Sequence, residues 1–174
     1  MPIANVSKIK QRNGLYLQMG SSLIEVLISL LVLAGGLLGI AGVQTVSLRN
    51  NQAAYYRTQA TMLSADMIES MRANKTGVAL DAYDDVAGAA TAACFTIAGC
   101  TPAQMAAQDV FTWSAQVTAT LPGGDSVVCI DSSGNDGDTT NMACDGAGNI
   151  YAIKLWWDDD RDGTAEMRYV TTWQ

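Results

Sequence analysis

The first part of the chain is dominated by an unbroken apolar run. Residues 26–43 read VLISLLVLAGGLLGIAGV and carry no charge. As a helix with a rise of about 1.5 Å per residue, this run is about 27 Å long, close to the roughly 30 Å hydrocarbon core of a bilayer. Because the helix is apolar on every side, it must be surrounded by lipid or by protein. The pattern therefore predicts a helix that crosses a membrane.

The apolar run continues into a segment with helical periodicity. Apolar residues recur there in steps of three and four, at Ala53, Tyr56, Ala60, Leu63, Met67 and Met71. This spacing places them on one face of a helix, and Gly77 is a typical signal for the helix end. We expect one helix from about residue 22 to residue 75, amphipathic in its second half.

The second half of the chain has mixed patterns. Residues 78–109 lack a sustained period and predict a long connection, with a short helix at 102–108 that Thr101 caps. Residues 111–121 alternate between apolar and polar, which predicts a strand with one solvated face. PGGD predicts a turn, and SVVCI, NIYAIKLWW and TAEMRYVTTW predict three more strands. The expected class is α+β, with the long helix packed on a four-stranded antiparallel sheet.

The charge of the chain changes sign along its length. The net charge is -7, and the acidic residues lie mostly after residue 65, so we do not expect that part to bind nucleic acid nonspecifically. Lys8, Lys10 and Arg12 precede the apolar run, and the positive-inside rule predicts a cytoplasmic N-terminus with an exported remainder. Histidine is absent, which excludes Ser-His and Cys-His catalytic sites and most zinc catalysis.

All four cysteines lie in the acidic part, at Cys94, Cys100, Cys129 and Cys144. Their spacing differs from that of zinc sites, and export of this part favours disulfides. Four cysteines allow three pairings, of which the local one, Cys94 with Cys100 and Cys129 with Cys144, closes the shortest loops. The alternative is four reduced, partly buried thiols.

Two acidic segments resemble the beginning of a calcium loop. Asp158, Asp160 and Asp162 precede Gly163, but the twelfth position, where such a loop needs an acid, is Tyr169. Asp-Gly between alternating strands favours a solvated hairpin turn instead. The segment DSSGNDGD at 131–138 is interpreted in the same way. We therefore predict no metal site, no cofactor and no catalytic residue.

Glu25 stands at the start of the apolar run, and no other acid occurs before Asp66. An acid inside a membrane segment is costly and is a candidate functional residue. An uncleaved membrane anchor leaves Glu25 unexplained. A secretory signal peptide cut near GIA at 39–41 leaves it unexplained as well.

The segment GSSLIEVLISLLVL at 20–33 resembles the N-terminal signature of type IV pilins and related pseudopilins. In that family a prepilin peptidase cleaves after a glycine and methylates the new N-terminus, and a glutamate occupies the fifth mature position. The resemblance implies cleavage after Gly20, methylation of Ser21 and a role for Glu25 in assembly, where it pairs with the N-terminus of a neighbouring subunit. Ser21 departs from the usual phenylalanine.

The stretches SLRNNQ and MIESMRANK are similar to minor pilins of the PilV kind. This resemblance implies the type IV pilin fold, with a cleaved leader at 1–20, a transmembrane and filament-core helix at 21–43 and a periplasmic head at 44–174. The implied role is to prime pilus assembly, at the tip or along the fibre, in support of twitching motility and adhesion. The implied partners are other minor pilins, the major pilin, the prepilin peptidase and the assembly platform of the inner membrane.

Two other functions remain open at this point. A minor pseudopilin of type II secretion has the same N-terminal signature and assembles in the same way. A membrane-anchored hydrolase that uses carboxylates requires paired acids in a cleft. The acids of this chain lie in segments typical of turns, so the expected function is structural and not enzymatic.

Overall fold

The computed structural model of the chain describes residues 22–173. Within this range the elements are α1 (Leu23–Ala73), α2 (Lys75–Ala79), a 3₁₀ helix (Ala92–Phe95), α3 (Pro102–Thr120), β1 (Asp125–Ile130), β2 (Tyr151–Trp157) and β3 (Glu166–Trp173). The predicted α+β class and the long N-terminal helix are confirmed. The chain divides into two compact units, residues 1–44 and 45–174, and each contains part of α1.

In the first unit the described residues after Ser22 are helical, and all of them are exposed. The helix begins where the backbone carbonyl of Ser22 accepts a hydrogen bond from the backbone N–H of Glu25, at 2.9 Å. No Gly or Pro breaks the helix, although glycine occurs four times between residues 35 and 42. The uninterrupted helix agrees with the continuous apolar pattern of the sequence.

In the second unit α1 buries one stripe of side chains, at Ala60, Leu63, Ser64, Met67 and Met71. The stripe follows the spacing of three and four that the sequence shows. Tyr56 and Ile68 pack beside it and are partly buried. The predicted apolar face of the helix is therefore the face that contacts the core.

The end of α1 differs from the prediction, because Asn74 and not Gly77 separates it from the next helix. The Oδ1 atom of Asn74 accepts a hydrogen bond from the backbone N–H of Gly77 at 3.1 Å, and Asn74 thereby caps α2. Gly77 lies inside α2, where a Cβ would come within 2.4 Å of the Asn74 side chain. Glycine is needed at this position for close packing and not as a helix stop.

Residues 111–120 form the second half of α3 and Leu121 follows it as the C-cap, so the strand predicted at 111–121 is wrong and the sheet has three strands instead of four. Thr101 and Pro102 begin this helix as expected: the Thr101 Oγ1 atom accepts from the backbone N–H of Gln104 at 3.2 Å. The helix then continues to Thr120. Its buried positions follow helical spacing and include residues of the alternating pattern: Ala106, Val110, Trp113 and Val117.

The three strands form an antiparallel sheet in the order β1-β2-β3. One face packs on α1 and α3 through side chains that include Val128, Ile153, Leu155 and Trp157. The opposite face carries Val127, Cys129 and Trp156, which pack against Met142 and Cys144 of the loop between β1 and β2. Both faces of the sheet are covered, which explains why every residue of β2 is buried.

α3 comes close to its neighbours at two points. The indole N–H of Trp113 donates to the backbone oxygen of Leu63 in α1, at 2.9 Å. At the C-terminal end of α3, a Cβ on Gly124 would lie 2.7 Å from the backbone oxygen of Val117. Glycine at this position therefore allows the chain to turn closely from α3 into β1.

Candidate functional site

The first surface of functional interest is the apolar part of α1. Thirteen large apolar side chains between residues 23 and 43 are 47% to 77% exposed, and they point in all directions around the helix. Among the described residues, α1 is the one helix that is long and apolar enough to cross a membrane. So much exposed apolar surface requires lipid or other chains around it.

Glu25 lies in the first turn of α1. The Ser29 hydroxyl donates a hydrogen bond to the backbone oxygen of Glu25, at 2.7 Å. A negative charge in the first turn is favoured by the helix dipole. Gly20 and Ser21, the predicted cleavage and methylation residues, lie outside the described residues, so their roles stay predictions.

No residue between 22 and 173 packs against Gly35, Gly36, Gly39 or Gly42. A Cβ built on any of them would meet no atom within 4 Å, apart from the backbone of the helix itself. The fold of this chain therefore does not require glycine at these positions. Glycine here lowers helix stability by about 1 kcal/mol per residue relative to alanine and leaves room for the close approach of another helix.

The cysteines form two local disulfides, Cys94–Cys100 and Cys129–Cys144. The first closes a loop that carries Phe95 and Ile97. The second connects the end of β1 to the loop between β1 and β2. This is the pairing with the shortest loops.

The loop closed by the first disulfide is a surface that sequence reasoning missed. Phe95 is 79% exposed and Ile97 is completely exposed. The available signal was the pattern CFTIAGC, in which two large apolar residues lie between paired cysteines in an uncharged stretch. Because the Cys94–Cys100 disulfide closes this short loop, its two large apolar side chains stay in solvent.

The second feature missed from the sequence is the environment of Lys154 in β2. Its side chain is fully buried and its Nζ atom faces five oxygens, which belong to Asp131, Asp136, Met142 and Ala143. The hydrogen bonds to Asp136 Oδ1 and to the Met142 backbone oxygen measure 3.0 and 2.9 Å. Asp131 is also fully buried and forms an ion pair with Lys154. The ammonium group thereby holds the loop between β1 and β2 on the sheet.

The segment DSSGNDGD therefore uses two of its acids to bind an internal lysine. Asp131 and Asp136 contact Lys154, and the Lys154 and Ser133 side chains hold the pKa of Asp136 below its usual value. Hydrogen bonds from Thr140 and Asn141 lower the pKa of Asp138. The signal in the sequence was a single lysine within the apolar strand YAIKLWW.

Asp158, Asp160 and Asp162 lie in the loop between β2 and β3. Each offers a carboxylate oxygen, and these oxygens lie within 4.8 Å of one another. Their carboxylates accept backbone N–H groups of their own loop: Asp158 accepts from Gly163 at 2.9 Å, and Asp162 accepts from Thr164 at 2.7 Å. These bonds are typical of a turn between two strands.

The loop between β2 and β3 is attached to α1. Arg57 forms an ion pair with Asp159 at 3.1 Å, and Asp159 also accepts a hydrogen bond from the Trp157 indole. Arg161 donates to the Tyr56 hydroxyl at 3.1 Å, which raises the pKa of the guanidinium. These contacts fix a pocket of about 560 Å³ that contains three arginines, Arg49, Arg57 and Arg161.

A buried network joins α1, α2 and α3. The Tyr83 hydroxyl donates to Asp109 at 2.5 Å, and the Asn74 amide donates to the Tyr83 oxygen and to the backbone oxygen of Pro102. Burial raises the pKa of Tyr83, and its bond to Asp109 acts in the same direction. Burial also raises the pKa of Asp109, while the bond from Tyr83 lowers it. The network positions the end of α1 against α3.

Comparison with known proteins gives one family. The family model of Tt1218-like proteins, described as type IV pilin Tt1218, matches residues 42–111. This range contains the second half of α1, α2, the 3₁₀ helix and the first half of α3. No significant match to the chain was found among curated proteins or among solved structures. Over residues 42–111 the chain is therefore similar to a type IV pilin, and the apolar N-terminal helix and the small antiparallel sheet are compatible with a pilin fold.

Proposed function

We propose that the chain is a minor type IV pilin of the PilV kind, which helps to prime pilus assembly and is incorporated at the tip or along the fibre. The observation that carries the proposal is the exposed apolar helix with Glu25 in its first turn, followed by a segment, residues 42–111, that matches a type IV pilin family. Twitching motility and adhesion follow as functions of the pilus. The proposed partners are other minor pilins, the major pilin and the assembly platform.

The proposed life cycle begins in the inner membrane. Residues 1–20 are a leader on the cytoplasmic side, residues 21–43 span the bilayer, and the head that begins at residue 44 is periplasmic. Prepilin peptidase cleaves after Gly20 and methylates Ser21. The subunit then leaves the bilayer, and its apolar helix exchanges lipid for the helices of other subunits.

Glu25 has a specific role in this transfer. In the bilayer a carboxylate near the helix end costs less than the roughly 2.5 to 3.5 kcal/mol estimated for the membrane centre. In the filament it pairs with the charged N-terminus of a neighbouring subunit within an apolar bundle. Such a pair contributes mainly to register and recruitment, because the cost of burying two charges offsets much of their attraction.

The N-terminus of the mature protein tests this proposal. We expect intact-mass and peptide measurements on the protein from membranes to find a chain that begins with methylated Ser21. In bacteria without the prepilin peptidase, the chain should keep its leader. A chain that retains Met1 in the presence of the peptidase would support a plain anchor, and a chain that begins near Gly42 would support a secretory signal; either result contradicts the proposal.

A further inference from the structure

The loop closed by the Cys94–Cys100 disulfide, here called the apolar tip, is an exposed apolar element of the second unit. Phe95 is 79% exposed and Ile97 is completely exposed, and no charged residue occurs between residues 86 and 108. The disulfide joins the two ends of the loop, so the tip loses little conformational entropy when it binds a partner. The tip borders a groove whose charge indicates what kind of partner it binds.

This groove, here called the acidic groove, lies between α1 and α3 and has a volume of about 340 Å³. Phe95 forms part of its wall, and the almost fully buried side chains of Met67 and Trp113 complete an apolar lining. Its two ionisable side chains are the acids Asp66 and Asp109, and no lysine or arginine lines it. The acidic groove therefore combines apolar surface with negative charge.

The two acids of the groove lack a countercharge among the described side chains. Asp66 is exposed and forms no ion pair with any of them. Asp109 accepts a hydrogen bond from the neutral hydroxyl of Tyr83 at 2.5 Å, and burial raises the pKa of its carboxyl. A cation in the groove would stabilise both carboxylates in their charged form. The groove therefore favours a positively charged occupant.

The groups that line the groove fit an arginine better than a lysine. Ser70 and Gln116 add a hydroxyl and an amide oxygen to the two carboxylates, so several acceptors surround the same space. A guanidinium group has five N–H donors in one plane, whereas an ammonium group is a compact point charge. A guanidinium group also stacks on aromatic rings, and Phe95 provides such a ring at the wall.

We propose that the acidic groove and the apolar tip together bind an arginine side chain of a different subunit of the same pilus. The guanidinium group lies between Asp66 and Asp109 and against the ring of Phe95, while Ile97 packs on apolar surface beside that arginine. This inference rests on the proposed function, for which it names a contact surface and the chemistry of the neighbour. A minor subunit is present in few copies, so its neighbours in the fibre are other chains.

The charge of the second unit agrees with a basic neighbour. Between residues 45 and 174, aspartate and glutamate outnumber lysine and arginine by sixteen to seven. Such an excess of negative charge attracts positively charged surfaces and disfavours contact between two copies of this chain. The acidic groove then fixes where on the second unit the positive charge of the neighbour is bound.

Site-specific photocrosslinking in the full-length chain tests the proposal. Ile97, which does not line the groove, is replaced by the photoreactive residue benzoylphenylalanine in bacteria that assemble pili. We expect one main adduct with a different pilin subunit, and mass spectrometry should place the crosslink within a short peptide that contains an arginine. The same probe at Leu80, which is 67% exposed and outside the groove, should not give this adduct.

Charge variants make the test specific. Asp66→Arg should reduce the adduct about tenfold or more, because it places a like charge beside the bound guanidinium group. Asp109→Asn should also reduce it, since the amide still accepts from Tyr83 but carries no charge. Asp160→Arg, the same charge reversal at an exposed acid outside the groove, should leave the adduct unchanged. Replacing the neighbour's arginine by glutamate should abolish the adduct with the wild type and restore it with Asp66→Arg.

The possible failures separate this inference from the proposed function. If the chain is present in purified pili but the probe at Ile97 crosslinks to a second copy, to a protein that is not a pilin or to nothing, the contact is overturned and the pilin assignment stands. An adduct that Asp66→Arg leaves unchanged, or a crosslinked peptide without arginine, overturns the proposed occupant of the groove. If the wild-type chain never enters pili, the proposed function fails.

Discussion

Lys154 shows how one residue determines the conformation of a long loop. The loop between β1 and β2 contains twenty residues and no regular secondary structure. Its acids and carbonyl groups converge on one buried ammonium. Since a buried charge needs full compensation, the loop and the lysine stabilise each other.

Lys154→Met should therefore destabilise the protein by about 3 to 5 kcal/mol, because it leaves Asp131 buried without a countercharge. Denaturant unfolding of the full-length chain in detergent measures the change. The double variant Lys154→Met with Asp131→Leu removes both charges and should recover part of the loss. A double variant no more stable than Lys154→Met alone would contradict this explanation.

At the scale of elements, the loop between β1 and β2 also has a dependence on pH. The pKa values of Asp136, Asp138 and Asp145 are lowered, in each case first by a side-chain hydrogen bond, from Lys154, Thr140 and Ser132 respectively. A lowered pKa means that the unfolded chain binds more protons than the folded one between the two pKa values. The stabilisation is therefore complete above the ordinary carboxyl pKa of about 3.9 and is lost as the pH falls through the folded value.

Asp138→Asn tests this dependence. Near neutral pH the variant should be less stable than the wild type, because its side chain no longer offers a charged acceptor to Thr140 and Asn141. The difference in free energy of unfolding should shrink as the pH falls well below about 3.9. Asp160→Asn is the matched control, because the Asp160 carboxylate accepts a longer hydrogen bond, from the Asp162 backbone N–H at 3.3 Å. A difference that stays constant with pH would refute the assigned cause.

At the scale of the whole molecule, the chain combines an apolar unit with a compact unit that has its own core. The apolar side chains of residues 23–43 remain exposed, whereas the second unit buries its aromatic and aliphatic residues between helices and sheet. This contrast is typical of a subunit whose exposed apolar helix is covered by lipid or by other chains. In the proposed function those surroundings are first the bilayer and later the filament.

Glu25→Ala tests this view of assembly. In the filament the variant leaves the N-terminus of a neighbouring subunit without its countercharge, at an expected cost of about 3 to 5 kcal/mol. We expect the variant to accumulate in the membrane and to be lost from sheared pili, as measured by immunoblot of both fractions. Glu69→Ala, which removes an exposed acid of α1 paired with Arg72, is the control and should assemble normally. Normal assembly of Glu25→Ala would rule out the proposed role.

Much of the fold was predictable where one local pattern dominates. The long helix, its buried stripe and the three strands that form the sheet follow from periodicity, because side chains on one face must share one environment. The capped beginning of α3 was also visible, in Thr101 and Pro102. These features depend on residues close together in the chain.

The strand predicted at residues 111–121 was wrong because two periods fit the same residues. Trp113, Val117 and Leu121 belong to the alternating series, and they are also spaced by four, which places them on one helical face. The alanines and the preceding helical turns favour the helix. Contact with α1, including the bond from Trp113 to Leu63, decides between the two patterns.

The sequence by itself determined the apolar helix, the position of Glu25 as the last acid before Asp66, and the number of cysteines, because each is a property of residues in their local order. Tertiary structure alone decided that Lys154 is enclosed by the acids of the loop that precedes its strand, and that Phe95 lies beside an acidic groove. It also decided that Tyr56 and Arg57 of α1 contact the loop between β2 and β3. Such sites join residues far apart in the chain, and only the packing of the elements brings their charges within interaction distance.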